Sequence, residues 1–146
     1  MTPVIQALGK LDAELISKDV AYLALPQVER EKVDTSSELT DRIRDSYLRV
    51  LGAYEIVRSL DQKCRDNTEI VNDTARQVFT DVKHKFERVR IPLAKFEPAR
   101  RYGDTDSSVA LPGIDRDHGI AWRVSETLFV TRKELSDAFM SLRRSI

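Results

Sequence analysis

The chain has 146 residues, 41% apolar and 33% charged, with 24 Lys+Arg against 24 Asp+Glu. That length suits one domain, 1–146, and leaves no room for two full ones. The apolar share excludes a disordered tail, the lack of an uncharged apolar run of about eighteen residues excludes a membrane span, and balanced charge names no partner.

Thr2-Pro3 reads as an N-cap and first helical residue, because proline's missing N–H has no intrahelical role there. Val4, Leu8, Leu11 and Leu15 then recur at helical spacing, with Ile5 and Ile16 widening the stripe. The segment Val20 to Leu25 continues this helix or forms a short extended piece, and Pro26 closes either one. Residues 27–35 are polar and read as a connector.

Thr35-Ser36-Ser37-Glu38 is a capping box. Behind it runs the strongest pattern in the chain: Ile43, Tyr47, Val50, Tyr54, Val57, Asp61, Cys64, Thr68, Val71, Ala75, Val78, Val82, Lys85 and Val89 follow steps of three and four. Leu51, Leu60, Phe79 and Phe86 flank this seam, and Pro92 is expected to end the helix. A continuous helix over 36–90 would be roughly 80 Å long at about 1.5 Å per residue. A globule of this chain length is only roughly 40 Å across. Either the helix projects and is covered by other copies, or it folds into a hairpin near Asp61 to Glu69, where Asp66-x-x-Glu69 is a second candidate capping box. The unbroken phase favours the continuous rod.

Beyond this helical body (1–92), residues 93–119 carry three of the five glycines and two of the five prolines and read as an ordered loop with at most short strands. Ile120, Trp122 and Val124 alternate with Ala121, Arg123 and Ser125 as a half-buried strand, and Leu128-Phe129-Val130 is close enough for a tight hairpin. Thr131-Arg132-Lys133-Glu134 is a third capping box, opening a helix with Leu135, Ala138, Phe139 and Leu142 on one face. The fold class is therefore mainly α: a long amphipathic, coiled-coil-like helix or helical hairpin braced by an N-terminal helix, with a small C-terminal β-hairpin plus helix.

Material for chemistry is thin. Cys64 sits on the apolar seam and reads as a core thiol. It has no partner for an internal disulfide, and Met1-Thr2-Pro3-Val4 lacks a basic segment ahead of an apolar stretch, so the expected compartment is the cytoplasm. His84 and His118 have no second ligand at zinc spacing. Tyr102-Gly103-Asp104-Thr105-Asp106-Ser107 has the letters of the metal-holding turn of family B DNA polymerases, over six residues only. Arg100 and Arg101 replace the apolar strand that motif needs, and the chain holds no palm domain, so no residue role carries over. Asp104, Asp106, Ser108 and Asp115 fall at calcium-loop spacing, but Val109 stands where the turn glycine belongs. No metal and no cofactor is expected.

Charge is uneven along the chain. Residues 70–103 carry +4, eight cations against four carboxylates, and Arg76, Lys83 and Arg90 recur every seven residues. With Arg100 and Arg101 they form a candidate polyanion-binding stripe for nucleic acid or phosphate.

The leading expectation is a non-catalytic assembly or adaptor protein that acts as a homo-oligomer or packs on a partner helix. Tyr47, Val50, Leu51, Tyr54, Val57, Val71, Val78, Phe79, Val82 and Phe86 would form its interface. Asp61 and Thr68 would supply a polar layer that sets register. The C-terminal cap, with Trp122 and Phe139, could present a further binding surface. One alternative is nucleic-acid or phosphate binding through the basic stripe. Another is a small enzyme with its site in the 100–119 loop, drawing on Asp104, Asp106, Asp117, His118 and Arg100 or Arg101.

Overall fold

A computed structural model describes residues 3–66 and 72–142. Its elements in order are α1 (Pro3–Leu23), α2 (Gln27–Asp34), α3 (Ser37–Asp66), α4 (Asp73–Lys95), a 3-10 turn at Arg100–Tyr102, β1 (Leu111–Asp115), β2 (Gly119–Arg123), β3 (Phe129–Thr131) and α5 (Arg132–Ser141). The chain is thus mainly helical, with a helical hairpin, an N-terminal helix and a small sheet followed by a C-terminal helix.

The continuous rod over 36–90 is not formed. α3 and α4 are separate helices that run antiparallel. Asp61 meets Thr80 and Lys83, while further back along α3 Tyr54 meets Glu87 and Glu55 meets Arg90. The physical reason is that each helix buries its own apolar face against the other. An uninterrupted phase across 61–75 follows from two amphipathic helices and does not require one rod. The start of α4 is set by Asn72, whose side chain accepts from the Ala75 N–H at 2.7 Å. The candidate box at Asp66-x-x-Glu69 falls partly outside the described residues.

Three smaller expectations also change. Residues 27–34 form α2 rather than a connector, stapled locally by Gln27–Glu31 and Lys32–Glu29 and tied to α1 by Tyr22 donating to Asp34 at 2.8 Å. Pro92 does not end the helix, since α4 runs on to Lys95. A proline one turn from the end forfeits one hydrogen bond, and its buried ring packs against the body. The helix stops instead at Phe96, in the left-handed region at φ 57°. Finally, β1 adds a third strand to the expected hairpin, giving the antiparallel order β1-β2-β3.

The Thr131 box forms as the sequence indicates: its hydroxyl accepts from Glu134 N–H at 3.0 Å, and Glu134 accepts from Thr131 N–H at 2.7 Å. One core joins hairpin, sheet and α5. It includes Val50, Val57, Phe79, Phe86, Trp122 and Leu135, with Phe86 meeting Phe139 edge-on at 6.4 Å. At Gly119 (φ 84°) an added Cβ would lie 2.4 Å from Asp19 Cγ, so glycine lets α1 rest on the sheet.

Candidate functional site

The residues expected to form an interface between copies are mostly spent inside one molecule. Val50, Tyr54 and Val57 from α3 and Phe79, Val82 and Phe86 from α4 are buried in the hairpin core. Tyr47, Leu51 and Val78 are half-buried, and Val71 lies outside the described residues. A seam covered by its own chain is not available to a second copy, which corrects that interface. The polar layer survives as an internal device. Asp61, 1% exposed, accepts from the Thr80 hydroxyl at 2.8 Å and pairs with Lys83 at 3.0 Å and Arg65 at 2.9 Å. Burial raises its pKa, but Thr80, Lys83 and Arg65 outweigh that and hold the carboxyl below its ordinary range. Thr68, its expected companion, lies outside the described residues. Cys64 is buried nearby, and burial together with the Asp61 charge pushes its thiol pKa up, away from nucleophile chemistry.

The basic stripe is largely answered within the chain. Arg76 pairs with Asp73 at 3.3 Å, Lys83 with Asp61, and Arg90 with Glu55 at 3.6 Å while stacking over Tyr54. Arg100 and Arg101 are exposed beside a shallow cavity of about 440 Å³, which also takes in Lys95, Glu87 and Glu97. Three cations against two carboxylates line it, a net of one positive charge, so its pull on a polyanion is weak.

In the loop, Asp106 is taken by Arg88 through a two-pronged pair at 2.6 and 2.7 Å, with the guanidinium stacked on Tyr102. Asp115 closes the β1–β2 turn by accepting from the Asp117 and His118 N–H groups, with His118 Nδ1 at 3.0 Å. Burial pushes Asp115 up, but these contacts win and its pKa is lowered. Asp104 and Asp117 are exposed. Among the described residues no group of three or more His, Cys, Asp or Glu side chains is placed to hold a metal ion.

Two further features emerge only from the tertiary structure. The first is a buried charge cluster where α1, α3 and α5 meet. Arg42, Arg49 and Arg132 are only 1%, 2% and 1% exposed, beside buried Asp12 and Asp19. Asp19 accepts from both Arg42 and Arg132. Asp12 Oδ1 lies 3.2 Å from Arg132 Nη1, 3.0 Å from Arg49 Nε and 2.7 Å from the Ser136 hydroxyl. The Arg49 Nε–H is not aligned for a hydrogen bond, and Arg49 Nη1 has no partner among the described residues. Burial lowers the pKa of Arg49; Asp12 opposes this and the charge of Arg132 adds to it. The available signal was the spacing: Asp12 and Asp19 are seven apart on α1, Arg42 and Arg49 seven apart on α3, each pair on the helix's inward face.

The second feature is an apolar row across the sheet. Leu111, Arg123 and Phe129 are aligned by strand register and all exposed, Leu111 by 47% and Phe129 by 48%. They alternate with Ile120, Trp122 and Val130, which join the core. Leu128, just before β3, is exposed as well. The expected cap residues differ: Trp122 is buried and Phe139 half-buried.

Compared with protein-family models, curated proteins and solved structures, the chain matches none of them. No helix of the described residues is long and apolar enough to cross a membrane.

Proposed function

We propose that this protein is a non-catalytic adaptor that docks a partner helix on the outer face of its β-sheet. The observation that carries the reading is the row Leu111–Arg123–Phe129, two large exposed apolar side chains on either side of one cation. Isolated exposed apolar residues are ordinary, but aligned neighbours on one rigid sheet make a patch. Arg123 decides the occupant. A second copy laid symmetrically on this face would bring two guanidiniums together, whereas a helix with a carboxylate between apolar residues would complement the row. A cytoplasmic setting goes with this reading, because Cys64 is a free, buried thiol.

The test is to select helical peptides from a random library on the intact protein. Enriched peptides should carry apolar residues three or four apart with Asp or Glu between them. Their binding should fall at least tenfold in Arg123→Glu and in Phe129→Ser. Peptides indifferent to both substitutions would defeat the reading, and a protein dimer that Phe129→Ser dissociates would replace the partner helix with a second copy. The phosphate-binding and enzymatic readings have less support, since the α4 cations of the stripe face carboxylates and Asp106 is engaged by Arg88.

A further inference from the structure

A cleft of about 330 Å³ opens between α1, α3 and α5, away from the sheet row. Its walls are apolar, with Ile5 and Leu8 from α1, Ile56 and Leu60 from α3, and Phe139 from α5. Its polar lining residues are Asp12 and Arg49, both members of the buried charge cluster. An apolar pocket with one or two convergent polar groups is the usual form of a small-molecule site.

The charges on its floor do not balance. Three buried guanidiniums face two buried carboxylates, which leaves one positive charge without a counter-ion inside the cluster. Asp12 is already engaged by Arg132, Arg49 and Ser136, and Asp19 by Arg42 and Arg132. Arg49 is the arginine that both lines the cleft and has an Nη1 with no partner among the described residues. Arg49 is paired with Asp12 and lies over the Phe86 and Phe139 rings, but its Nη1 is left unfilled, and an anion brought to this guanidinium would supply the negative charge the cluster lacks.

We infer that this cleft binds a small amphipathic carboxylate, its charged end at Arg49 and its hydrocarbon body between α1, α3 and α5. The volume equals that of about eleven waters, room enough for octanoate, a molecule of about ten non-hydrogen atoms. Gly9, on the cleft wall, would have nothing within 4 Å of an added Cβ, so the wall beside it is open space.

The test uses calorimetry on the intact protein with octanoate, octylamine and octan-1-ol. Octanoate should bind at least tenfold more tightly than octylamine. Arg49→Met should remove that preference while leaving octan-1-ol binding unchanged; it also balances the cluster at two charges of each sign, which favours folding. Gly9→Leu, a helix-favouring change that fills the cleft, should abolish binding of all three, and it keeps the question answerable if the Arg49 variant does not fold. Phe129→Ser, on the sheet row, should leave octanoate binding intact. Equal binding of octanoate and octylamine, binding that survives Gly9→Leu, or no octanoate binding at millimolar concentration would each overturn the inference.

Discussion

The joint between α3 and α4 is built from Val50, Val57, Phe79, Val82 and Phe86, with Asp61 as its polar layer, whereas the joint that holds α1 and α5 to α3 centres on Asp12, Asp19, Arg42, Arg49 and Arg132. Both are buried, and they should fail differently. Apolar contact is undirected, so trimming it costs in proportion to what is removed. An ionic joint is directional: intact it is close to neutral relative to an apolar equivalent, and broken it strands a charge. The ionic joint also defines register, since a shift of α1 by one turn would separate the carboxylates of Asp12 and Asp19 from their arginines.

The sharpest way to break this contrast is Asp19→Ala. It leaves Arg42 and Arg132 buried without their shared carboxylate and should cost about 3–5 kcal/mol in urea unfolding. Replacing the connected group together, Asp19→Leu with Arg42→Met and Arg132→Met, leaves Asp12 balanced by Arg49. That triple variant should be as stable as the parent or gain up to about 4 kcal/mol, and a large loss would show that the charges stabilise rather than specify.

On the apolar side, Asp61→Asn should cost about 1–3 kcal/mol at neutral pH, because Asp61 makes charge-assisted contacts with Lys83 and Arg65. Its folded pKa is lowered, so the stabilisation is fully present above the unfolded value of about 4 and is lost as pH falls through the folded value. The stability difference between parent and Asp61→Asn, followed by urea midpoints from pH 6 to pH 2, should therefore shrink toward zero at the acid end. The smallest effect is a gain. Phe96 is 71% exposed and sits in the left-handed region, so Phe96→Gly should raise stability by about 1 kcal/mol, read as a rise in Tm.

Much of the fold was legible because local chemistry decides it. Pro3 opens α1, the Thr131–Glu134 box opens α5, and the alternation at Ile120 and Trp122 marks β2, all through interactions within a few residues. α2 was not legible. Its eight residues bury none of their side chains, so no apolar period announces them, and Arg30 donating to the Leu25 carbonyl and Tyr22 to Asp34 hold them in place. Of the candidate site residues, the seam positions are legible as apolar contacts, but what covers them is not, because the same three-four spacing serves a partner helix of the same chain or of another. The charge cluster is not legible in the same way, because charged residues are solvent-facing by default until a neighbouring helix supplies their partners.

Sequence alone settled the long helices and α5, though not α2, and which face of each is apolar, because hydrogen-bonding periodicity and capping are local. It could not say what lies against those faces. Folding α4 back onto α3, seating Arg132 between two aspartates of α1 and leaving the Leu111–Phe129 row bare are choices made between segments far apart in the chain. The energy that decides them comes from desolvating two surfaces at once, and neither surface alone carries that information.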